Sequence, residues 1–138
     1  MIETTHSLRV RYAETDPMKY VYYGNYAQYL EVARVELMRT IGLSYEEIEK
    51  RGIWMPVSQY EIKYLKPAKY DEILNIITRV EKFPGVRIVF DYEIYNPSKE
   101  LITTAKVTLY FLCAETQKIV RCPDFLASLL KPYWSTTT

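Results

Sequence analysis

The sequence predicts an α+β architecture, a curved antiparallel sheet with one long helix packed across it. Three observations carry that expectation. From Tyr23 or Gly24 to about Met38, apolar residues recur at helical spacing, with Tyr26, Tyr29, Leu30, Ala33 and Leu37 on one stripe. Beyond Met55 the period shortens to two, as strands require, in four successive runs. Pro67, Pro84-Gly85 and Asn96-Pro97-Ser98-Lys99 break those runs at short intervals, which favours antiparallel neighbours joined as a meander.

Taken in order, Ser7 to Tyr12 alternates Leu8, Val10 and Tyr12 with Arg9 and Arg11, the pattern of a half-buried strand. The loop after it holds Glu14, expected to be a solvated acid, and Asp16, followed by Pro17. In the long helix, Gln28, Glu31, Arg34, Glu36 and Arg39 form a polar side, with Glu31 and Arg34 spaced to pair. Val32, Val35 and Met38 interrupt that side, as they would if a second subunit covered it; scattered apolar residues on a surface are the commoner arrangement. Gly42 is placed to end the helix. Ser44-Tyr45-Glu46-Glu47 has the spacing of a capping box, so a short second helix runs from there to about Lys50, and Gly52 ends it.

The first alternating run sets Ser58, Tyr60, Ile62 and Tyr64 against Gln59, Glu61 and Lys63. Glu72 to Lys82 follows with Leu74, Ile76, Thr78 and Val80 on one face, then Val86 to Tyr95 with Ile88, Phe90, Tyr92 and Ile94. Leu101 to Cys113 is the longest, with Ala105, Val107, Leu109 and Phe111 along one side. An extended piece from Ile119 to Arg121 precedes Pro123-Asp124, which can open a terminal helix through Leu130. Ser135 to Thr138 read as a frayed tail. The helix stripe and one sheet face share a core. The open sheet edges point to pairing with a second copy, hence a homodimer at least.

A chain of 138 residues fits one domain, residues 1–138, and a hydrophobic share of 49% supplies its core. A net charge of +1, with both signs mixed, argues against a nucleic-acid partner. No run approaches the roughly twenty apolar residues of a membrane span, so no membrane insertion is expected. The opening MIETTHSLRV lacks the basic-then-apolar order of a signal peptide. Cys113 and Cys122 lack metal-motif spacing, and His6, read as a surface residue before the first strand, is too little to complete a zinc set. No metal and no cofactor are expected. Two reduced thiols point to a cytoplasmic protein.

Chemistry can be assembled in one place. Asp16 stands a few residues before the start of the long helix, whose unpaired N–H groups and partial positive charge can hold an oxygen that becomes anionic in a reaction. A carboxylate beside such an oxyanion site is sufficient apparatus for acyl transfer. Asp before a helix more often caps a turn, and by its position alone Asp16 would be read that way.

Asp16-Pro17-Met18, followed by Val21-Tyr22-Tyr23-Gly24-Asn25-Tyr26, resembles the active-site loop and helix start of the 4-hydroxybenzoyl-CoA thioesterase family of hotdog-fold proteins, which also holds the Tol–Pal-associated acyl-CoA thioesterases. The stretch from Pro56-Val57 through Tyr64-Leu65-Lys66-Pro67-Ala68-Lys69-Tyr70-Asp71 resembles that family's second strand and turn, and Arg121-Cys122-Pro123 its ending. The likeness covers nearly the whole chain. It implies a hotdog fold, a homodimer often doubled to a homotetramer, and hydrolysis of an acyl-CoA thioester. It implies further that Asp16 is the catalytic carboxylate, as nucleophile or as base for water, and that the backbone N–H of Tyr23 holds the thioester carbonyl. Two departures stand out. Many members carry His where this chain has Tyr23, and relatives tend to have a small residue such as Gly at Lys19-Tyr20.

On this reading Gly24 and Asn25 either let substrate approach the backbone or form the helix entry. Ser58 and Gln59 can reach the thioester from a partner subunit, and Lys66, Lys69 and Arg87 can meet CoA phosphates, although each also suits a solvated face. The tyrosines suit a short or aromatic acyl group. Two other classes compete: a non-catalytic dimer that binds acyl-CoA, for which the bulk of Lys19-Tyr20 speaks, and a hotdog hydratase or dehydratase, which would need His6 beside Asp16 or beside a partner's Asp16.

Overall fold

The computed structural model describes residues 1–134, so the expectation for Ser135 to Thr138 lies outside the described residues. β1 (Ile2–Arg9) leads through a turn of 3-10 helix (Tyr12–Glu14) and a second (Tyr23–Asn25) into α1 (Tyr26–Thr40), then α2 (Tyr45–Lys50). The strands β2 (Ile53–Trp54), β3 (Val57–Tyr64), β4 (Ile73–Val80), β5 (Arg87–Tyr95), β6 (Leu101–Cys113) and β7 (Ile119–Val120) follow, with α3 (Asp124–Leu130) after them.

The helix ends form as their residues dictate. Ser44 Oγ accepts from the Glu47 amide at 3.1 Å and so caps α2. Gly42, at φ 86°, turns the chain out of α1, and the Leu43 amide closes back on the Met38 carbonyl at 3.1 Å.

All pairings in the sheet are antiparallel, and the long strands run β1-β4-β5-β6-β3. β4, β5 and β6 form the expected meander, but β3 lies beside β6 rather than beside β4. The reason lies after Tyr64, where the chain leaves β6 and crosses to the far side of the sheet. In that crossing, the amides of Val21 and Tyr70 donate to the carbonyls of Ala68 (2.8 Å) and Lys19 (2.9 Å). The segment is therefore laced to the Asp16 loop.

The first strand also differs from expectation. It covers Ile2–Arg9, so His6 lies within it, half-buried and opposite Ile76. Tyr12 is exposed in the following turn, because the Glu14 side chain accepts from the Arg11 amide and bends the chain there.

The whole predicted helix stripe, Tyr26, Tyr29, Leu30, Ala33 and Leu37, is buried, and the inward residues of β4, β5 and β6 complete the core. α1 lies over β1 and β4. The inner face of β3 extends past its cover, so Tyr60 and Tyr64 remain exposed although they pair with buried Val107 and Thr103. Arg34 departs from the polar side assigned to it. It is buried and donates to the hydroxyls of Tyr45 (2.9 Å) and Tyr92 (3.2 Å) instead of extending toward Glu31. Met38 on the same flank is fully buried.

On the outer face, a row of alternating charge crosses the sheet. Glu3 pairs in register with Arg79, Arg79 with Asp91, Asp91 with Lys106, and Lys106 with Glu61. Arg79 meets Glu3 at 2.5 Å and Glu93 at 2.7 Å, and Lys106 meets Asp91 at 3.8 Å.

Candidate active site

Asp16 stands in a tight hairpin. Thr15 bridges to Val21, the Asp16 amide donates to the Tyr20 carbonyl at 2.8 Å, and the Lys19 amide donates to the Asp16 carbonyl at 2.9 Å. The Asp16 side chain accepts from the amides of Met18 (2.9 Å) and Tyr20 (3.2 Å), both at Oδ1. Local bonds of this kind are what Asp offers in turns. Among the described residues, no hydrogen bond is made to Oδ2.

A cavity of about 530 Å³ opens beside the loop, and both Asp16 and Tyr23 line it. Tyr23 begins the 3-10 turn that runs directly into α1, so its amide belongs to the end whose N–H groups have no acceptor inside the helix. Tyr20, Tyr22, Tyr26 and Tyr64 share the lining with Leu65, Lys66 and Pro67. A larger groove, about 840 Å³, lies across the charged face of the sheet and includes neither Asp16 nor the helix start. Four of its charged residues, Arg79, Asp91, Lys106 and Glu61, are cross-strand neighbours of opposite sign.

Glu14, expected in solvent, is buried. Its carboxylate accepts from the Arg11 amide (2.8 Å), the Arg11 guanidinium (2.9 and 3.0 Å) and the Tyr29 hydroxyl (2.8 Å). Burial pushes this carboxyl up, but the Arg11 amide, the Tyr29 hydroxyl and the Arg11 guanidinium together outweigh it and hold the group below the usual carboxylate range. Burial chiefly, then the Glu14 carboxylate, raises the Tyr29 hydroxyl well above an ordinary phenol. The Glu14 carbonyl accepts from the Tyr22 amide and from Asn25 Nδ2, each at 2.9 Å. Glu14 thus fixes the helix start relative to the loop. Only the return half of a capping box is present, Glu14 accepting from the Arg11 amide, because a guanidinium has no acceptor to offer the helix; the sequence therefore carries no capping signature there.

The other anticipated residues are spread more widely. Lys66 lines the cavity and is ion-paired with Glu100. Gly24 and Asn25 form the turn that opens the helix. Lys69 is exposed on the crossing segment and bridges to Tyr20, outside the cavity lining. Ser58 and Arg87 share a separate cleft of about 340 Å³ with Val86, Tyr110 and Ile119. Gln59 is exposed on the edge strand, where its amide donates to Glu61. His6 does not line the Asp16 cavity of its own chain. Among the described residues, no three His, Cys, Asp or Glu side chains gather closely enough to hold a metal ion, and no helix is long and apolar enough to cross a membrane.

A helix laid on an antiparallel sheet is the arrangement of hotdog-fold thioesterases. The solved DHNA-CoA thioesterase of Staphylococcus aureus superposes on the chain with a TM-score of 0.85 and 36% identity, covering 99% of this chain and 98% of that one. The sequence profile of the Thioesterase-like superfamily matches residues 10–130, and the chain belongs to that superfamily. Bacillus subtilis YneP is 39% identical over 110 residues, 80% of this chain and 78% of that protein. The acyl-CoA thioester hydrolase YbgC of Escherichia coli is 29% identical over 112 residues, 81% of this chain and 82% of that protein.

Proposed function

We propose that the protein hydrolyses the thioester of a short-chain or aromatic acyl-CoA, releasing the free acid and CoA–SH. The observation that carries this is the shared cavity of Asp16 and Tyr23 in a chain of this superfamily. The Asp16 carboxylate attacks the carbonyl carbon and displaces the CoA thiolate, leaving a mixed anhydride that water cleaves, or it takes a proton from the water that attacks. Either way, negative charge gathers on the carbonyl oxygen, and the Tyr23 N–H is directed at it. Such a donor is worth about a hundredfold or more in rate. The reaction needs no metal and no other cofactor. The free Oδ2 of Asp16 supports the role, because the bonds that shape the loop occupy the other oxygen.

The aromatic lining supports the acyl class: Tyr20, Tyr22, Tyr23, Tyr26 and Tyr64 suit a flat or short group better than a long chain. Gly24, Asn25 and Lys66 complete this subunit's share of the substrate contacts, with Lys66, Lys69 and Arg87 available to the CoA phosphates. A second copy pairs along the open edge of β3, covers Tyr60 and Tyr64, and brings its own Ser58 and Gln59 toward the thioester; the homodimer can double to a homotetramer. Residues 1–138 act as one domain in the cytoplasm.

The test is thiol release by the purified protein from short-chain, 4-hydroxybenzoyl and long-chain acyl-CoA, with Asp16→Asn alongside. Fast turnover of the first two classes and its loss in the variant are expected. Equal turnover by both proteins would exclude the assigned role. Tight binding of CoA esters without hydrolysis would return the chain to the binding-protein class; of Lys19-Tyr20, whose bulk speaks for that class, Tyr20 lines the cavity and Lys19 does not.

A further inference from the structure

Lys19 occupies a position where its own backbone geometry is unfavourable. Its φ is 68°, in the left-handed region that a side chain disfavours and glycine enters freely. Its backbone requires that turn, because its amide donates to the Asp16 carbonyl and its carbonyl accepts from the Tyr70 amide, each at 2.9 Å. A glycine would make both bonds without strain.

What lysine adds lies in the side chain. It folds back across the loop and sets Nζ 3.1 Å from the Tyr12 hydroxyl and 4.3 Å from the centre of the Tyr12 ring. The Tyr70 ring meets Tyr12 edge-on, with centroids 5.5 Å apart. Tyr12 belongs to the turn that ends at buried Glu14, and its carbonyl accepts from both the amide and the hydroxyl of Thr15. The side chain therefore ties the outgoing limb of the Asp16 hairpin to the anchored incoming limb. The two amides that hold Asp16 Oδ1, those of Met18 and Tyr20, flank Lys19 in sequence.

We infer that Lys19 is a positioning residue: its clasp on Tyr12 keeps the Met18 and Tyr20 amides on Oδ1 and so directs Oδ2 into the cavity. What Asp16 then does rests on the thioesterase reading above. A strained residue at a site, with contacts that glycine could not make, is the pattern expected of such a part.

Lys19→Gly relieves the backbone and removes the clasp, and Lys19→Arg keeps the cation over the ring. With the acyl-CoA turned over fastest by wild type, Lys19→Gly should lower kcat about tenfold or more. KM should stay within about twofold, the thermal midpoint should be equal or higher, and Lys19→Arg should restore most of kcat. Unchanged kcat in Lys19→Gly overturns the inference. So does a raised KM with kcat intact, which would make Lys19 a substrate contact instead. Amide hydrogen exchange provides a readout independent of turnover. Met18 and Tyr20 should exchange severalfold faster in Lys19→Gly and in Tyr12→Leu, with the strand amides unaffected. Equal exchange in all three proteins overturns the clasp even if hydrolysis is brisk. If wild type hydrolyses no CoA ester, the thioesterase reading fails and the exchange rates alone decide the clasp.

Discussion

Glu14 and Asp16 are two acids two residues apart in one loop, and the fold treats them oppositely. Glu14 is enclosed, and its carboxylate takes bonds from Arg11 and Tyr29 on both oxygens. Asp16 is only half-buried, takes two amides on one oxygen and lines a cavity. A carboxylate whose lone pairs are all engaged holds structure together and has nothing left for a reaction. One with a free oxygen can act, but it needs neighbours that keep it aimed. The pair separates the two tasks: Glu14 braces the loop, and Asp16, on the proposal above, is left to face substrate.

The sharpest way to break this comparison is to neutralise each acid in turn. Asp16→Asn keeps an oxygen for the Met18 and Tyr20 amides and removes the charge. Thiol release should fall about a hundredfold or more, while the urea midpoint stays close to wild type. Glu14→Gln should do the reverse. It loosens a buried, charge-assisted network and should cost about 1–3 kcal/mol in urea unfolding, with a smaller loss of kcat because the residue's carbonyl still holds Tyr22 and Asn25. Matching profiles for the two variants would erase the distinction.

Acidity sharpens it further. The folded state holds the Glu14 carboxyl below its ordinary value of 4.5, so folding releases its proton more readily than the unfolded chain does. Its contribution is then complete above that ordinary value and disappears as pH falls through the lower folded value. The stability gap between wild type and Glu14→Gln should be constant near neutrality and close in acid, as urea midpoints across that range would reveal. The smallest effect is expected at Gly24. An added Cβ would stand 2.9 Å from Cε2 and 3.3 Å from Cδ2 of Tyr22, but that ring is exposed and can turn aside. Gly24→Ala should therefore change KM by no more than about threefold.

What the sequence disclosed was whatever local spacing decides. The α1 stripe, the Ser44 cap, the Gly42 stop and the β6 limits all follow from patterns within a few residues, and Asp16 was legible as an acid ahead of a helix start. Arg34 was not. It sits on the polar side of a helical wheel, and only Tyr45 and Tyr92, 11 and 58 residues further on, make its burial tolerable. Glu14 was misjudged for a related reason, since Tyr29 reaches it from the next helix, 15 residues away. The exchange of neighbours by β3 and β4 was invisible because alternation records which face a residue takes and not which strand lies beside it. The inner face left bare at Tyr60 and Tyr64 has the same origin.

That blindness gives the row from Glu3 to Glu61 a meaning beyond its modest energy. Alternation detects a strand misplaced by one residue, but a slip of two restores every side chain to its proper face. The charges resist that error, most between β3 and β6, where the slip sets Lys106 against Gln59 or Lys63, and least between β5 and β6, where one direction sets it against Glu93. Two places off in either direction, Lys106 no longer confronts Asp91 or Glu61, and a threonine, Thr104 or Thr108, stands where the cation should be. The outer surface thus spells out an address for each strand, which the greasy interior, reading only odd from even, has no means to write.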